Sequence, residues 1–199
     1  TFDGAYQTVV RPLHELGFDP TGRPAKSTLS IVDKLRRESV RLSQVQDIAG
    51  CRIVVPTIVE QENLLKVLQN AFLGATIVDR REKPSHGYRA IHVIPQVEGK
   101  PVEIQLRTSL QHLWAEFSEK LSDIRDPGIK YGAGPRAWTL HLPALSALSW
   151  SVEKGRRILS NLDKKSEEVR TLEAELRAQQ DEVLQMFAFW ISLPDMGGE

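Results

Sequence analysis

The stretch Val102-Glu103-Ile104-Gln105-Leu106-Arg107-Thr108 constrains this chain more than any other. Apolar and polar side chains alternate with a period of two. A strand satisfies that pattern by sending Val102, Ile104 and Leu106 to one face and Glu103, Gln105 and Arg107 to the other. The apolar face demands a core. The polar face sets a carboxylate, an amide and a guanidinium in a row, groups suited to a metal ion, a polar ligand group and a phosphate. A half-buried strand with an ordinary solvated face would alternate in the same way. The rest of the chain has to decide between these readings.

Strand and helix signals surround this segment. Residues 1–22 read as a short helical or irregular lead-in, closed by Pro20, Gly22 and Pro24. Ser27 is placed to cap a helix reaching about Leu42, with Leu29, Val32, Leu35 and Val40 toward a core. Arg52 to Val55 is a β-branched run stopped by Pro56. Thr57-Ile58-Val59-Glu60 matches a capping box and opens a helix carrying Leu64, Leu65, Leu68 and Phe72. Ala75 to Val78 is a further short strand. Tyr88 to Pro95 and Pro101 to Arg107 read as an antiparallel pair turning at Glu98-Gly99-Lys100. Thr108-Ser109-Leu110-Gln111 is a second capping box, before a helix with Leu110, Leu113, Trp114, Phe117 and Leu121 on one face.

Asp126 to Gly134 breaks the pattern and reads as a loop with freedom to move. Beyond it the chain turns helical. Leu162, Val169, Leu176 and Val183 recur at heptad spacing, but the other seam position reads Lys165, Leu172, Gln179 and Met186, which is imperfect. The expected division is a first domain over 1–125 and a helical extension over 126–199, which packs back on the domain or mediates homo-oligomerisation. Strands mixed with helices, with at least one antiparallel pair, make the chain α+β.

Three further clusters bear chemistry. Lys26, Ser30, Lys34 and Arg37 fall on one helical face with no acid among them. A solvated charged face is the plain explanation; a polyphosphate is the natural ligand for such a stripe. Asp47-Ile48-Ala49-Gly50-Cys51-Arg52 sets a carboxylate just before a strand, with a glycine that lets another backbone come close. If the Asp47 and Glu103 strands are neighbours, the two acids suit Mg²⁺, which takes one or two protein carboxylates and keeps phosphates or waters; otherwise Asp47 simply pairs with Arg52. Lys83-Pro84-Ser85-His86-Gly87-Tyr88-Arg89-Ala90-Ile91-His92 is a loop presenting Tyr88 at its exit, where a ring can stack on a base or pack as rim.

Composition narrows the classes. A 41% hydrophobic fraction fits a cored globular protein and not a disordered one. Lysine plus arginine equals aspartate plus glutamate, at 26 each, so any polyanion site must be a local patch. The single cysteine, Cys51, fits a reducing compartment. No apolar run has the length of a membrane span, and the N-terminus lacks an apolar signal core. The expectation is a cytoplasmic protein with no membrane partner.

Taken in order, Lys26-x-x-x-Ser30-Ile31-x-x-Lys34-x-x-Arg37, Asp47-Ile48-Ala49-Gly50-x-Arg52, Lys83-Pro84-x-x-Gly87-Tyr88-Arg89-x-x-His92 and Val102 to Thr108 closely resemble the RelA/SpoT-type alarmone synthetases, especially the single-domain small ones. The resemblance covers about residues 20–121. It implies a nucleotidyltransferase-like mixed β-sheet flanked by helices, and transfer of pyrophosphate from ATP to the ribose 3′-hydroxyl of GDP or GTP, giving (p)ppGpp. By motif position, Asp47 and Glu103 would hold Mg²⁺, and Glu103 would also draw the proton from the 3′-hydroxyl. Lys26, Ser30, Lys34, Arg37 and Arg52 would serve ATP. Tyr88 would stack on the acceptor base, with Lys83, Arg89, His92, Gln105 and Arg107 on the acceptor side.

The pattern departs from the family near the acceptor. His86 stands where the family usually has asparagine, and Asp79-Arg80-Arg81-Glu82 lacks the tyrosine common there. Pro24 replaces a frequent arginine, with Arg23 one position early, and the usual Glu-His-Lys after the tryptophan reads Ser118-Glu119-Lys120. A second expectation is therefore a toxin-type member that modifies the 3′ end of tRNA or an adenine nucleotide and is neutralised by an antitoxin. A third is a non-catalytic nucleotide-binding module.

Overall fold

The computed structural model describes residues 1–38, 41–42, 45–162 and 166–192. Its elements are α1 (Phe2–Glu15), β1 (Thr21–Arg23), α2 (Thr28–Glu38), β2 (Ala49–Val55), α3 (Ile58–Ala71), β3 (Thr76–Asp79), β4 (Ile91–Ile94), β5 (Gln96–Val97), β6 (Lys100–Thr108), α4 (Ser109–Ile124), α5 (Arg136–Ser160) and α6 (Glu167–Ser192), with a 3₁₀ turn at Ile129–Tyr131. The chain is α+β, as the mixture of strand and helix signals requires. Its contacts form two compact units. One comprises Thr1–Val54, Glu62–Asp79 and Ile91–Leu106; the other comprises Val55–Gln61, Arg80–Ala90 and Arg107–Glu199.

The first unit is built on a six-stranded sheet, ordered β1-β2-β6-β4-β3, with β5 paired to β6. The β4–β6 pair is antiparallel and sets His92 opposite Gln105. β5 joins β6 through Glu98-Gly99, both with positive φ, the geometry of a tight hairpin turn. The apolar face is dry: Val102, Ile104, Leu106, Ile91 and Val93 are fully buried, and Ala49, Cys51 and Ile53 continue it on β2. The other face of β6 is not a solvated surface. Glu103 is only 8% exposed, which removes the plain reading of the alternation, because a glutamate is rarely taken so far out of water without a partner.

The lead-in takes the helical of its two readings: α1 is capped by the Thr1 hydroxyl and buries Ala5, Tyr6, Val9, Val10 and Leu13. Two other parts of this unit differ from their sequence signals. After α1 comes β1, antiparallel to β2, in a stretch whose proline and glycine content reads as turn. Helix α2 is capped by Ser27, whose hydroxyl accepts from the Ser30 N–H. It is no core helix, however: Leu29 is 78% exposed, and Val32 and Leu35 are only half-buried. Val40 lies outside the described residues.

The second unit packs α4, α5 and α6 around Trp114, Phe117, Leu121, Ile129, Leu142 and Phe187. Thr108 and Gln111 complete the capping box at the start of α4. The loop over 126–134 is anchored: Ile129 is buried, and the Asp126 carboxylate accepts from the Gly128 N–H at 2.7 Å. α6 packs back onto this unit through Val183, Met186 and Phe187. Leu176 sits against Gly155 of α5. Leu172, in contrast, is 48% exposed, and Lys165 of the second seam lies outside the described residues. No helix among the described residues is long and apolar enough to cross a membrane.

Candidate active site

In the first unit Lys26, which precedes α2 and so lies off the expected helical face, and Lys34, on α2, meet the first carboxylate. The Lys26 ammonium donates to Asp47 Oδ2, and Lys34 Nζ lies 2.9 Å from Asp47 Oδ1. The Lys26 backbone N–H also donates to the Ile48 carbonyl at 2.8 Å, so the chain entering α2 is tied to the chain entering β2. Burial pushes the Asp47 carboxyl up, but the two ammonium groups outweigh it and hold the pKa below the usual value. Ser30 is exposed and shares a 2.8 Å hydrogen bond with Ser27. Arg37 is on α2, its side chain outside the described residues. Arg52 is half-buried on β2, paired in register with Thr21.

The second carboxylate sits on the neighbouring strand. Glu103 Oε1 is 2.6 Å from His92 Nδ1, and Glu103 Oε2 accepts from Gln105 Nε2 at 2.6 Å. Desolvation pushes Glu103 up, His92 and Gln105 pull it down, and the charge of Asp47 pushes it up again; the balance lies below the usual glutamate value. Glu103 is therefore an anion at neutral pH. Gly50 explains how the strands come so close at this point: a Cβ there would stand 2.8 Å from the Glu103 carbonyl oxygen. Cys51 is no nucleophile, since burial and Glu103 push its thiol up to about 12.

The donor chemistry fits Mg²⁺. Asp47 and Glu103 are hard oxygen ligands, both held ionised, and each carries lone pairs beyond those used by its present partners. No group of three or more histidine, cysteine, aspartate or glutamate side chains suited to a metal gathers among the described residues. Waters and nucleotide phosphates would supply the remaining ligands, as magnesium ordinarily requires.

The second unit holds the loop side. Ser85 and Tyr88 are bridged, with His86 (φ 52°) and Gly87 (φ 94°) at the corner. Both corner residues occupy the left-handed region of a type I′ turn, which favours asparagine then glycine. Histidine at the first position is tolerated. Tyr88 is half-buried; its hydroxyl accepts from Arg107 Nη2 at 3.2 Å, and the guanidinium lies 5.0 Å from the ring centroid. Lys83 is exposed. Arg89, expected on the acceptor side, has partners within the protein. It is buried, and its guanidinium donates to Ser146 Oγ at 3.0 Å and to the Arg81 carbonyl, 5.4 Å from the Trp150 ring centroid. It organises the loop from within.

The sequence motifs did not point to Ser146, Trp150 or Glu153. Ser146 Oγ donates to the Gly87 carbonyl. Glu153 is 5% exposed and accepts from Gln111 Nε2 at 3.4 Å; Gln111 Oε1 accepts from Gln61 at 2.9 Å. Burial raises the Glu153 pKa to about 7, against the opposing pull of Thr108, Gln111, Arg89 and Arg156. The available signal was the spacing of Ser146, Trp150 and Lys154, four residues apart on one helical face.

The sequence pattern of a region found in RelA/SpoT proteins matches residues 22–122, just over half of the chain. The chain belongs to the RelA/SpoT family. Among its relatives is an uncharacterized protein of Mycobacterium tuberculosis, 43% identical over 116 residues, which are 56% of this chain and 42% of that protein. A chloroplast protein of rice, described as a probable GTP diphosphokinase, is 32% identical over 96 residues, 46% of this chain and 13% of the relative. The chain thus spans less than half the length of these curated relatives. Among solved structures, the small alarmone synthetase 1 of Bacillus subtilis bound to its product pppGpp shares the fold with a TM-score of 0.56 and 27% identity, over 77% of this chain and 89% of that one. The RelA/SpoT stretch carries Asp47, Glu103, Tyr88 and the lysines, and it ends before α5 begins.

Proposed function

We propose that this RelA/SpoT-family chain is an ATP-dependent nucleotide 3′-pyrophosphokinase of the cytoplasm, which moves the β,γ-pyrophosphate of ATP to the ribose 3′-hydroxyl of GDP or GTP and so makes (p)ppGpp. The observation that carries the reading is the pair of carboxylates held below their ordinary pKa values, Asp47 just before β2 and Glu103 on the neighbouring strand β6, with Lys26 and Lys34 drawn to Asp47. Residues 1–125 are taken as the synthetase part and 126–199 as its helical extension.

ATP's phosphates replace Asp47 as the partners of Lys26 and Lys34, with Arg37 and Arg52 on the same donor. Asp47 and Glu103 would hold Mg²⁺, which supplies charge neutralisation at the phosphoryl oxygens. Glu103, fixed by His92 and Gln105, accepts the hydrogen bond of the attacking 3′-hydroxyl and takes its proton as the bond to the β-phosphorus forms. AMP leaves with the electron pair of the broken α–β bridge. Tyr88, backed by Arg107, stacks on the acceptor base, and exposed Lys83 meets its phosphates. Such chemistry is mostly positioning and charge neutralisation, which is what these groups provide.

The test is incubation with Mg²⁺, ATP and each of GDP, GTP, GMP, ADP and deacylated tRNA, followed by chromatography. New guanosine tetra- or pentaphosphate supports the reading; its absence beside a working control enzyme refutes it. His86 at the turn and the basic residues Arg80, Arg81 and Lys83 keep a toxin-type acceptor, tRNA or an adenine nucleotide, as the second reading. Label transfer from γ-labelled ATP to intact tRNA but not to periodate-oxidised tRNA would establish it. Nucleotide binding without any modified acceptor would leave a regulatory module.

A further inference from the structure

We propose that α5, which lies beyond the family-matched stretch, is the element that holds the acceptor turn in place, with Ser146 as its positioning residue. The inference rests on the reading of Tyr88 as the acceptor's stacking partner. Four residues of α5 spaced three, four and four apart meet the loop over 80–90: Pro143, Ser146, Trp150 and Lys154. That spacing is one helical face.

Each contact fixes a different part of the loop. Pro143 and the Trp114 ring close on Gly87, where a Cβ would stand 3.1 Å from Pro143 Cα and 2.5 Å from Trp114 Cζ2. The Ser146 hydroxyl has one proton, given to the Gly87 carbonyl, and lone pairs, one of which accepts from Arg89 Nε. It is 3% exposed, so water is a poor substitute for either bond. Arg89 carries the tie onward to the Arg81 carbonyl and lies over Trp150, joining the start and the end of the loop through one guanidinium. At the outer end, Glu82 accepts from Trp150 Nε1 at 3.4 Å and pairs with Lys154 at 3.1 Å. Tyr88 directly follows the residue whose carbonyl Ser146 holds. A shift of the turn therefore moves the ring and its hydroxyl away from Arg107.

Ser146→Ala tests it in two ways. Amide hydrogen exchange over 85–89 should quicken at least tenfold in the variant, with exchange over β2 unchanged. In steady-state kinetics the KM for the acceptor should rise about tenfold or more, from the loss of the two buried hydrogen bonds that Ser146 makes, with a much smaller change in kcat and in the KM for ATP. Lys154→Ala, at the exposed end of the same face, should give a smaller change in the same direction. Unchanged loop exchange in Ser146→Ala overturns the inference, and so does a rise in the ATP KM equal to that for the acceptor. A wild-type protein that modifies no nucleotide and no tRNA overturns the proposed reaction instead, and the exchange measurement still decides whether α5 holds the turn.

Discussion

Glu103 in the first unit and Glu153 in the second are both buried glutamates, 8% and 5% exposed, yet their pKa values move in opposite directions. Glu103 has a histidine ring and an amide donor on its two oxygens, and its pKa falls. Glu153 has amide and hydroxyl partners in Gln111 and Thr108, and its pKa rises to about 7. Burial pushes both the same way; the partners decide the outcome. A carboxylate kept ionised out of water can take a metal ion or a proton. One kept near half-protonation can serve as a structural donor and acceptor at once. The same residue type is thus an anion in one unit and near half-protonation in the other, because its partners differ.

The largest test of that contrast is Glu103→Gln. It should lower turnover on the order of a thousandfold or more with circular dichroism unchanged, because the loss is of charge and not of shape, while the thermal midpoint at neutral pH falls as the ionised carboxylate's contribution is lost. Near-wild-type turnover in the folded variant would place Glu103 with Glu153, as a structural acid.

Next in size is stability against pH, where the two glutamates act with opposite sign. Glu153 binds its proton more tightly folded than unfolded. Its contribution is complete below the ordinary value of 4.5 and is lost as pH rises through about 7, of the order of 3 kcal/mol in all. Asp47 and Glu103, held below their ordinary values, contribute above those values and lose that contribution as pH falls through their folded pKa values. Glu153→Gln should therefore equal the wild type in denaturant melts near pH 4.5 and exceed it at pH 8. A wild-type stability flat between pH 5 and 8 would show that Glu153 is ionised throughout.

Tyr88→Ala should raise the acceptor KM by about 5- to 150-fold, since stacking on one base is worth about 1–3 kcal/mol; an unmoved KM would make the ring a rim residue. The smallest expected effect is Leu29→Gln on α2, within about 0.5 kcal/mol in a urea melt, because Leu29 is exposed. Ile104→Ala, on the dry face of β6, should cost roughly 2–5 kcal/mol in the same measurement.

Periodicity and local chemistry were sufficient for much of this. The β6 alternation, both threonine caps, the β4–β6 pair and the family motifs rest on neighbours within a few residues, and the structure retains all of them. Leu29 misled because an apolar residue at helical spacing records a local pattern and not what lies opposite it. β1 was missed because its strand character comes from pairing with Cys51 and Gly50 far along the chain, against its own turn-forming composition.

By itself the sequence determined the α+β class and the family, because both depend on residue type and short spacing. Only the tertiary structure decided that Glu103 is buried between His92 and Gln105, that Asp47 is held by two lysines, and that Arg89 turns inward to Ser146 instead of outward to a ligand. Charge state and side-chain direction are set by partners distant in the chain and by exclusion of water, and neither is written in any local pattern.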